Sequence, residues 1–314
     1  FVRNETFQCV DLFPIGTVSK GLKGEELAEM YDLKSSGAVA YFDGKKTTLS
    51  SGLMARALLY TKNFNGLVFS FPYDSSLSTN GQMNESIEST KLGLEGIPSI
   101  SEELQMSRDL FLTSYNEAKI HFTTLSTQAT VPMLLEAKQN NINVSSSVAI
   151  HNLILTDDSL REFDSNYKVL PPLRTIDDKN ALIEGLKSGV IDVITSDHTP
   201  HDVESKKMEF SIADFGMIGT QTAFPLAVTH LSKSLGLEEI VIKMAINPRT
   251  ILQLDVPVLN IGFKANITLF NPNKEFIFTK ENNQSLSENS PFLDNSLTCK
   301  VVGVINGEKY HLND

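Results

Sequence analysis

Short strand-like runs alternate with longer helical patterns along most of this chain, and that alternation constrains its fold more than any other feature. Strands joined by helices pair in parallel, because a parallel connection needs a crossover of about a dozen residues or more. FQCVDLF (7–13) reads as the first strand, with the helical GEELAEMYDLKSSG (24–37) behind it. AVAYF (38–42) and the helix SGLMARALLYTKNF (51–64) follow, then LVFSF (67–71) and, after a long loop, SEELQMSRDLFLTSYNEA (101–118). KIHFTTL (119–125), a helix over 128–140, NVSSSVAI (143–150), a helix over 175–188 and VIDVITS (190–196) continue the pattern. Two more helical stretches, 219–236 and 237–246, close the α/β part.

From residue 255 the chain becomes rich in Asn, Pro and short strand-like pieces such as ANITLF and KVVGVINGEKYHL. The expected division is therefore a (β/α) body over 1–254 and an appended β segment over 255–314. The turn after the first strand, PIGTVSKGLKG, is neither GxGxxG nor a Walker loop, which weakens a nucleotide-binding open sheet. A (β/α)8 barrel needs eight strands, and six are legible here. A TIM-type barrel would be two strands short, and an open doubly wound sheet could stop at six. The chain opens on Phe1, without a signal-peptide pattern, so it is expected to begin inside something longer or to have been processed.

The net charge of −11, with no Lys/Arg-rich stretch to offset it, makes nucleic acid and anionic membranes poor partners. No apolar run is long enough to cross a membrane. Cys9 and Cys299 lie near opposite ends with no CxxC, which suits two buried free thiols in a reducing cytoplasm.

In a barrel the chemistry gathers at the C-terminal ends of the strands. Those ends are Asp43, Phe71 to Asp74, Thr124 and Asp197. Asp197-His198-Thr199-Pro200-His201 is the densest polar cluster. An Asp ending a strand beside two His suits a metal ligand or general base, against the plainer reading of a turn-capping Asp with exposed His. His121 reads as a satisfied core histidine, His151 and Asn152 as remnants beside a site, and Lys206 and Lys207 as a solvated pair in a mobile loop. Ser126-Thr127 reads as a helix N-cap.

The stretches GQMNES, LGLEGIPSISEEL, NYKVLPPLRTIDDKNALIEGLKSGVIDVITSDHTPH, ESKKMEFSIADFGMIGTQTAFPL, GFKANITLFNP and ENSPF occur in this order. Together they resemble the dihydroorotases of the amidohydrolase superfamily, in their long bacterial class, over almost the whole chain. The resemblance implies an amidohydrolase-type (β/α)8 TIM barrel, here lacking its first two strands, with a small β-sandwich segment. It also implies a pair of zinc ions that activate a water to open a cyclic amide, interconverting dihydroorotate and carbamoyl-aspartate. By that resemblance Asp197 matches the proton-shuttling Asp and Asp43 the bridging acid. Phe71 and Thr124 stand where the family has metal-binding histidines, and a His-x-His strand is not found. Leu170 replaces a substrate-contacting Asn, and His201 matches a residue that contacts the substrate carboxylate. The resemblance therefore implies a vestigial site with no zinc and a pseudoenzyme with a structural role beside aspartate transcarbamoylase, as a cytoplasmic homodimer. The alternative is an active zinc dihydroorotase or related cyclic amidase.

Overall fold

The structure, a computed structural model, describes residues 9–45 and 49–313. In chain order its regular elements begin with helices α1 (Met30–Ser35) and α2 (Ser51–Lys62). Strands β1 (Val68–Ser70) and β2 (Met83–Asn84), helix α3 (Ile87–Leu92), strand β3 (Gly96–Ile97) and helix α4 (Ile100–Asn116) follow. Next are β4 (Lys119–Phe122), α5 (Thr130–Gln139), β5 (Asn143–Ala149), α6 (Ile176–Lys187) and β6 (Val193–Thr195). Helices α7 (Val203–Lys206), α8 (Ala223–Leu235), α9 (Leu237–Val241) and α10 (Asn247–Ile251) precede strands β7 (Asn266–Phe278), β8 (Asn295–Asn306) and β9 (Lys309–Leu312).

β1, β4, β5 and β6 form a parallel sheet in that order. Two single parallel bridges, Gly16 to Tyr41 and Tyr41 to Val68, extend it on the β1 side. The wall thus has the six parallel positions that the sequence pattern implies, and the chain is an α/β partial barrel. Ile120 and Phe122 of β4 are fully buried on the helix-covered side, while His121 between them faces inward. That alternation is the strand's period of two. On the inner face the imidazole of His121 lies between the hydroxyls of Ser145 and Ser147, at 2.8 and 3.1 Å, and against the ring of Phe69. His121 is thus the satisfied core histidine the sequence suggests. Between Ile15 and the α8–α10 side a cavity of about 430 Å³ opens onto this inner face, lined by Phe69, His121, Thr123, Ser147 and Thr195.

Two sequence expectations fail at the start of the chain. The strand over 7–13 is absent from residues 9–13, and residues 7 and 8 lie outside the described residues. Pairing begins at Pro14 instead: Pro14 O accepts from Val39 N, Gly16 N donates to Ala40 O, and Gly16 O accepts from Phe42 N. β propensity located an apolar run, but the position of the partner strand decided where the ladder forms. The helix expected over 24–37 is confined to α1, because Glu26 and Ala28 are tied back to Lys20 and Val18 by backbone hydrogen bonds. The remaining helices match their expected spans to within about five residues. α6 starts on a capping box in which the Thr175 and Asp178 side chains each accept from the other's amide.

Ser126-Thr127 does not cap α5. Both amides donate to the carboxylate of Glu102, and so does the Ser126 hydroxyl. Glu102 is fully buried with Arg174, which donates to Ser126 Oγ, Asn84 Oδ1 and Ile97 O. This network ties α4, the β4–α5 turn and the β2–β3 ribbon into one unit. The C-terminal β segment is a three-stranded antiparallel sheet in the order β7-β8-β9. It is fastened to the barrel where Thr298 N donates to Thr229 Oγ1 of α8 at 2.8 Å. Both cysteines are free; Cys299 is buried as expected, but Cys9 is only partly so.

Arg174→Met takes the donors from Ser126 Oγ, Asn84 Oδ1 and Ile97 O and the nearby positive charge from the buried Glu102, and is expected to cost about 3–5 kcal/mol, read by urea denaturation. Burial, and secondarily Lys138, pulls the His121 imidazole down to about 3 from its ordinary 6.5. Between those values the unfolded chain binds a proton that the folded chain does not, so stability falls as pH drops below 6.5. The melting temperature of His121→Gln is expected to fall less steeply over pH 6.5 to 4 than that of the parent, measured by scanning calorimetry.

Candidate functional site

The ladder register carries the strand ends to one rim of the wall, where Asp43, Phe71, Thr124, His151 and Asp197 follow their strands. Asp43 is buried and its carboxylate is saturated from within. Oδ1 accepts from Thr17 Oγ1 (2.6 Å), Val18 N (2.7 Å) and Ser19 N (3.0 Å), and Oδ2 accepts from Ser19 N and the Ser19 hydroxyl. Asp43 is therefore the clamp of the turn after Gly16, and its lone pairs are spent there.

Asp197 leaves β6 in a left-handed conformation, φ 47°, which few non-glycine residues adopt. Its two carboxylate oxygens each accept from Lys45 Nζ at 2.6 Å. The third proton of that ammonium goes to Leu170 O at 2.5 Å. Both side chains are mostly buried, Lys45 at 24% and Asp197 at 13% exposure. The ring of Phe71 lies beneath the ammonium, 5.6 Å from centroid to Nζ.

Phe71 packs on Tyr73 and presents no donor atom. The gap around it, bounded by Asp43, Met54, Ser70, Phe71 and Gln105, measures only about 20 Å³, room for about one water. Thr124 is buried and also left-handed, φ 53°, an unusual state for a β-branched residue. Among the described residues its hydroxyl has no hydrogen-bond partner, and neither do the two ring nitrogens of the buried His151. His151 Nε2 stands 3.8 Å from Asp197 Oδ2. Burial brings that imidazole down to about 4, with Asp197 pulling the other way and Lys45 adding to the drop. His151 is thus a neutral ring at the rim.

The rest of the sequence cluster turns elsewhere. His198 Nδ1 accepts from the amides of Gly219 and Thr220, at 3.0 and 3.3 Å. His201 Nε2 lies 3.0 Å from Phe215 O, and its Nδ1 is 3.6 Å from Asp214. Leu170 contributes its carbonyl to Lys45, as described. Asn152, read with His151 as a remnant, donates to Pro172 O.

Lys206 corrects the sequence reading. It is 5% exposed, not solvated, and its ammonium donates to Asp214 O and Gly216 O. Lys168 beside it donates to Phe210 O and Ser211 O under the ring of Phe215. Carbonyl oxygens take the place of water for both, which is why these lysines could be buried. Burial brings both ammonium groups down to about 8.

Of the rim positions read from sequence, the structure places Asp43, Phe71, Thr124 and Asp197 at strand ends on one rim, with His151 after β5 between the last two. It does not bring three or more His, Cys, Asp or Glu side chains together in a metal-binding group among the described residues. Sequence reasoning missed Lys45. The signal was present as Asp43-Gly44-Lys45, a cation two residues past a strand-end acid, on a turn that Gly44 (φ 77°) bends inward.

A family model described as Dihydro-orotase-like matches residues 2–130. The dihydroorotase of Acetivibrio thermocellus is 43% identical over 285 residues, which cover 90% of this chain and 67% of that protein. An L-hydantoinase (dihydropyrimidinase) from Arthrobacter aurescens superposes with a TM-score of 0.84 at 20% identity, over 100% of this chain and 74% of that one. The inactive dihydroorotase-like domain of a Chaetomium thermophilum CAD-like multifunctional protein superposes with a TM-score of 0.59 at 17% identity, over 93% of this chain and 71% of that one.

Asp43→Ala frees the Val18 and Ser19 amides and is expected to cost about 2–4 kcal/mol, in line with the loss of a buried acceptor of several hydrogen bonds. Faster amide exchange confined to residues 16–20 would mark the effect as local.

Proposed function

The chain belongs to the dihydroorotase family, and within it we propose a catalytically inactive member that keeps the fold for a structural role beside aspartate transcarbamoylase. The observation that carries this is the donor set at the rim. Phe71 offers no lone pair, and Thr124 offers a neutral hydroxyl, a poor zinc ligand. Asp43 is spent on the Gly16 turn and Asp197 on Lys45. These residues do not fit a pair of zinc ions, and the family's hydrolysis depends on a metal-activated water. The substrate side points the same way: Leu170 brings an apolar side chain where the resemblance implies an Asn, and His201 is turned to Phe215 O.

The partnership and a homodimeric state rest on the family alone. Cytoplasmic residence is part of the same proposal; the structure adds only that, among the described residues, no helix is long and apolar enough to cross a membrane.

The second reading, an active zinc dihydroorotase or cyclic amidase, draws on the 43% identity to the Acetivibrio dihydroorotase. One preparation separates the two. The purified full-length protein is expected to carry less than about 0.1 zinc per chain, since ligand number sets affinity, and to leave dihydroorotate at its uncatalysed rate. Two tightly held zinc ions with turnover would establish the second reading. Co-elution with aspartate transcarbamoylase in size-exclusion chromatography is the expected sign of the structural role; separate elution at micromolar concentration would remove the partner from the proposal.

A further inference from the structure

We propose that Lys45 is the resident cation of this barrel rim: its ammonium balances Asp197 and holds it in place, so the rim keeps its geometry without an ion from solution. This deepens the reading of the chain as a member without zinc, and rests on it.

The valence count is complete. An ammonium has three protons to donate. Here two go to the two oxygens of Asp197 and one to Leu170 O, all at 2.5–2.6 Å. The remaining side of the charge faces the electron-rich ring of Phe71. Phe71 thus has a positive role at a position where the resemblance implies a metal-binding histidine: it is an apolar floor that a cation can rest on.

The contacts are also long-range in the chain. Lys45 reaches across 152 residues to Asp197 and across 125 to Leu170, so one side chain joins the Asp43 turn, the end of β6 and the segment before α6. Asp197 is 13% exposed and sits at φ 47°. A carboxylate so buried is costly without a partner, and the left-handed backbone that aims it at Lys45 is an uncommon one. His151, the other nitrogen base near it, stands 3.8 Å off, beyond hydrogen-bond distance, so Lys45 is the group that engages both carboxylate oxygens. With Lys45 in place, a divalent cation entering the rim meets a like charge and finds the Asp197 oxygens occupied.

The test is a thermal double-mutant cycle on the full chain with EDTA present, using Lys45→Met, Asp197→Asn and the double variant. Each single change is expected to lower the melting temperature by roughly 3–6 °C for a domain of this size. The double variant is expected to melt within about 2 °C of the milder single one, because the second change removes a charge that the first left unpaired. A silent Lys45→Met, or single losses that add in the double variant, would overturn the proposal. Where Lys45→Met alone does not fold, a folded double variant supports it.

The second arm uses zinc chloride on the unaltered protein. An unchanged melting temperature is expected, and a rise would show Asp197 surrendering Lys45 to the metal, which overturns it. Turnover of dihydroorotate would sink the proposed function; additive losses without turnover would sink the Lys45 assignment alone.

Discussion

A parallel strand is tolerated only where both of its faces are covered, and every other feature of this barrel answers to that requirement. The outer faces of β1, β4 and β5 are covered by α2, α4 and α5, the helices that lead into them. The inner face opens on a cavity toward α8 and α10, so its side chains satisfy one another. Phe69, His121, Ser145 and Ser147 do so as a small layer in which one ring stacks on an imidazole and two hydroxyls hold it in place. The same register that makes this layer brings the strand ends level, and the rim residues converge because the wall beneath them is in step.

Most of the α/β body was legible because it is built from periodicities. The helices α2, α4, α5, α6 and α8 carry their apolar spacing openly, and a Ser-rich strand such as NVSSSVA still alternates faces. What was not legible was set by pairing. Residues 7–13 look like a strand and are not one over the described part, since the ladder with Tyr41 begins at Pro14. Residues 24–29 look helical, yet their backbone is claimed by residues 18–20. In both places a contact distant in sequence outcompeted local preference.

The rim was legible by position and illegible by partner. Strand ends can be read from sequence, so Asp43, Phe71, Thr124 and Asp197 could be named. That Asp43 clamps the Gly16 turn, and that Asp197 is matched by Lys45, are facts of tertiary placement. Lysine is the residue whose environment is hardest to read this way, because its long stem lets the charge settle far from its backbone. Lys206 shows the same difficulty, having the sequence surroundings of a surface residue and the structural surroundings of a core one.

Lys45, Lys168 and Lys206 share one design: a point charge on a flexible stem, met by oxygens arranged around it. A guanidinium is a flat fork with fixed donor directions and cannot be wrapped in that way. At these three sites arginine is therefore not a synonym for lysine, although it preserves the charge. The substitution alphabet of this fold narrows most where its cations are enclosed, and sequence drift that conserves net charge can still disable it there.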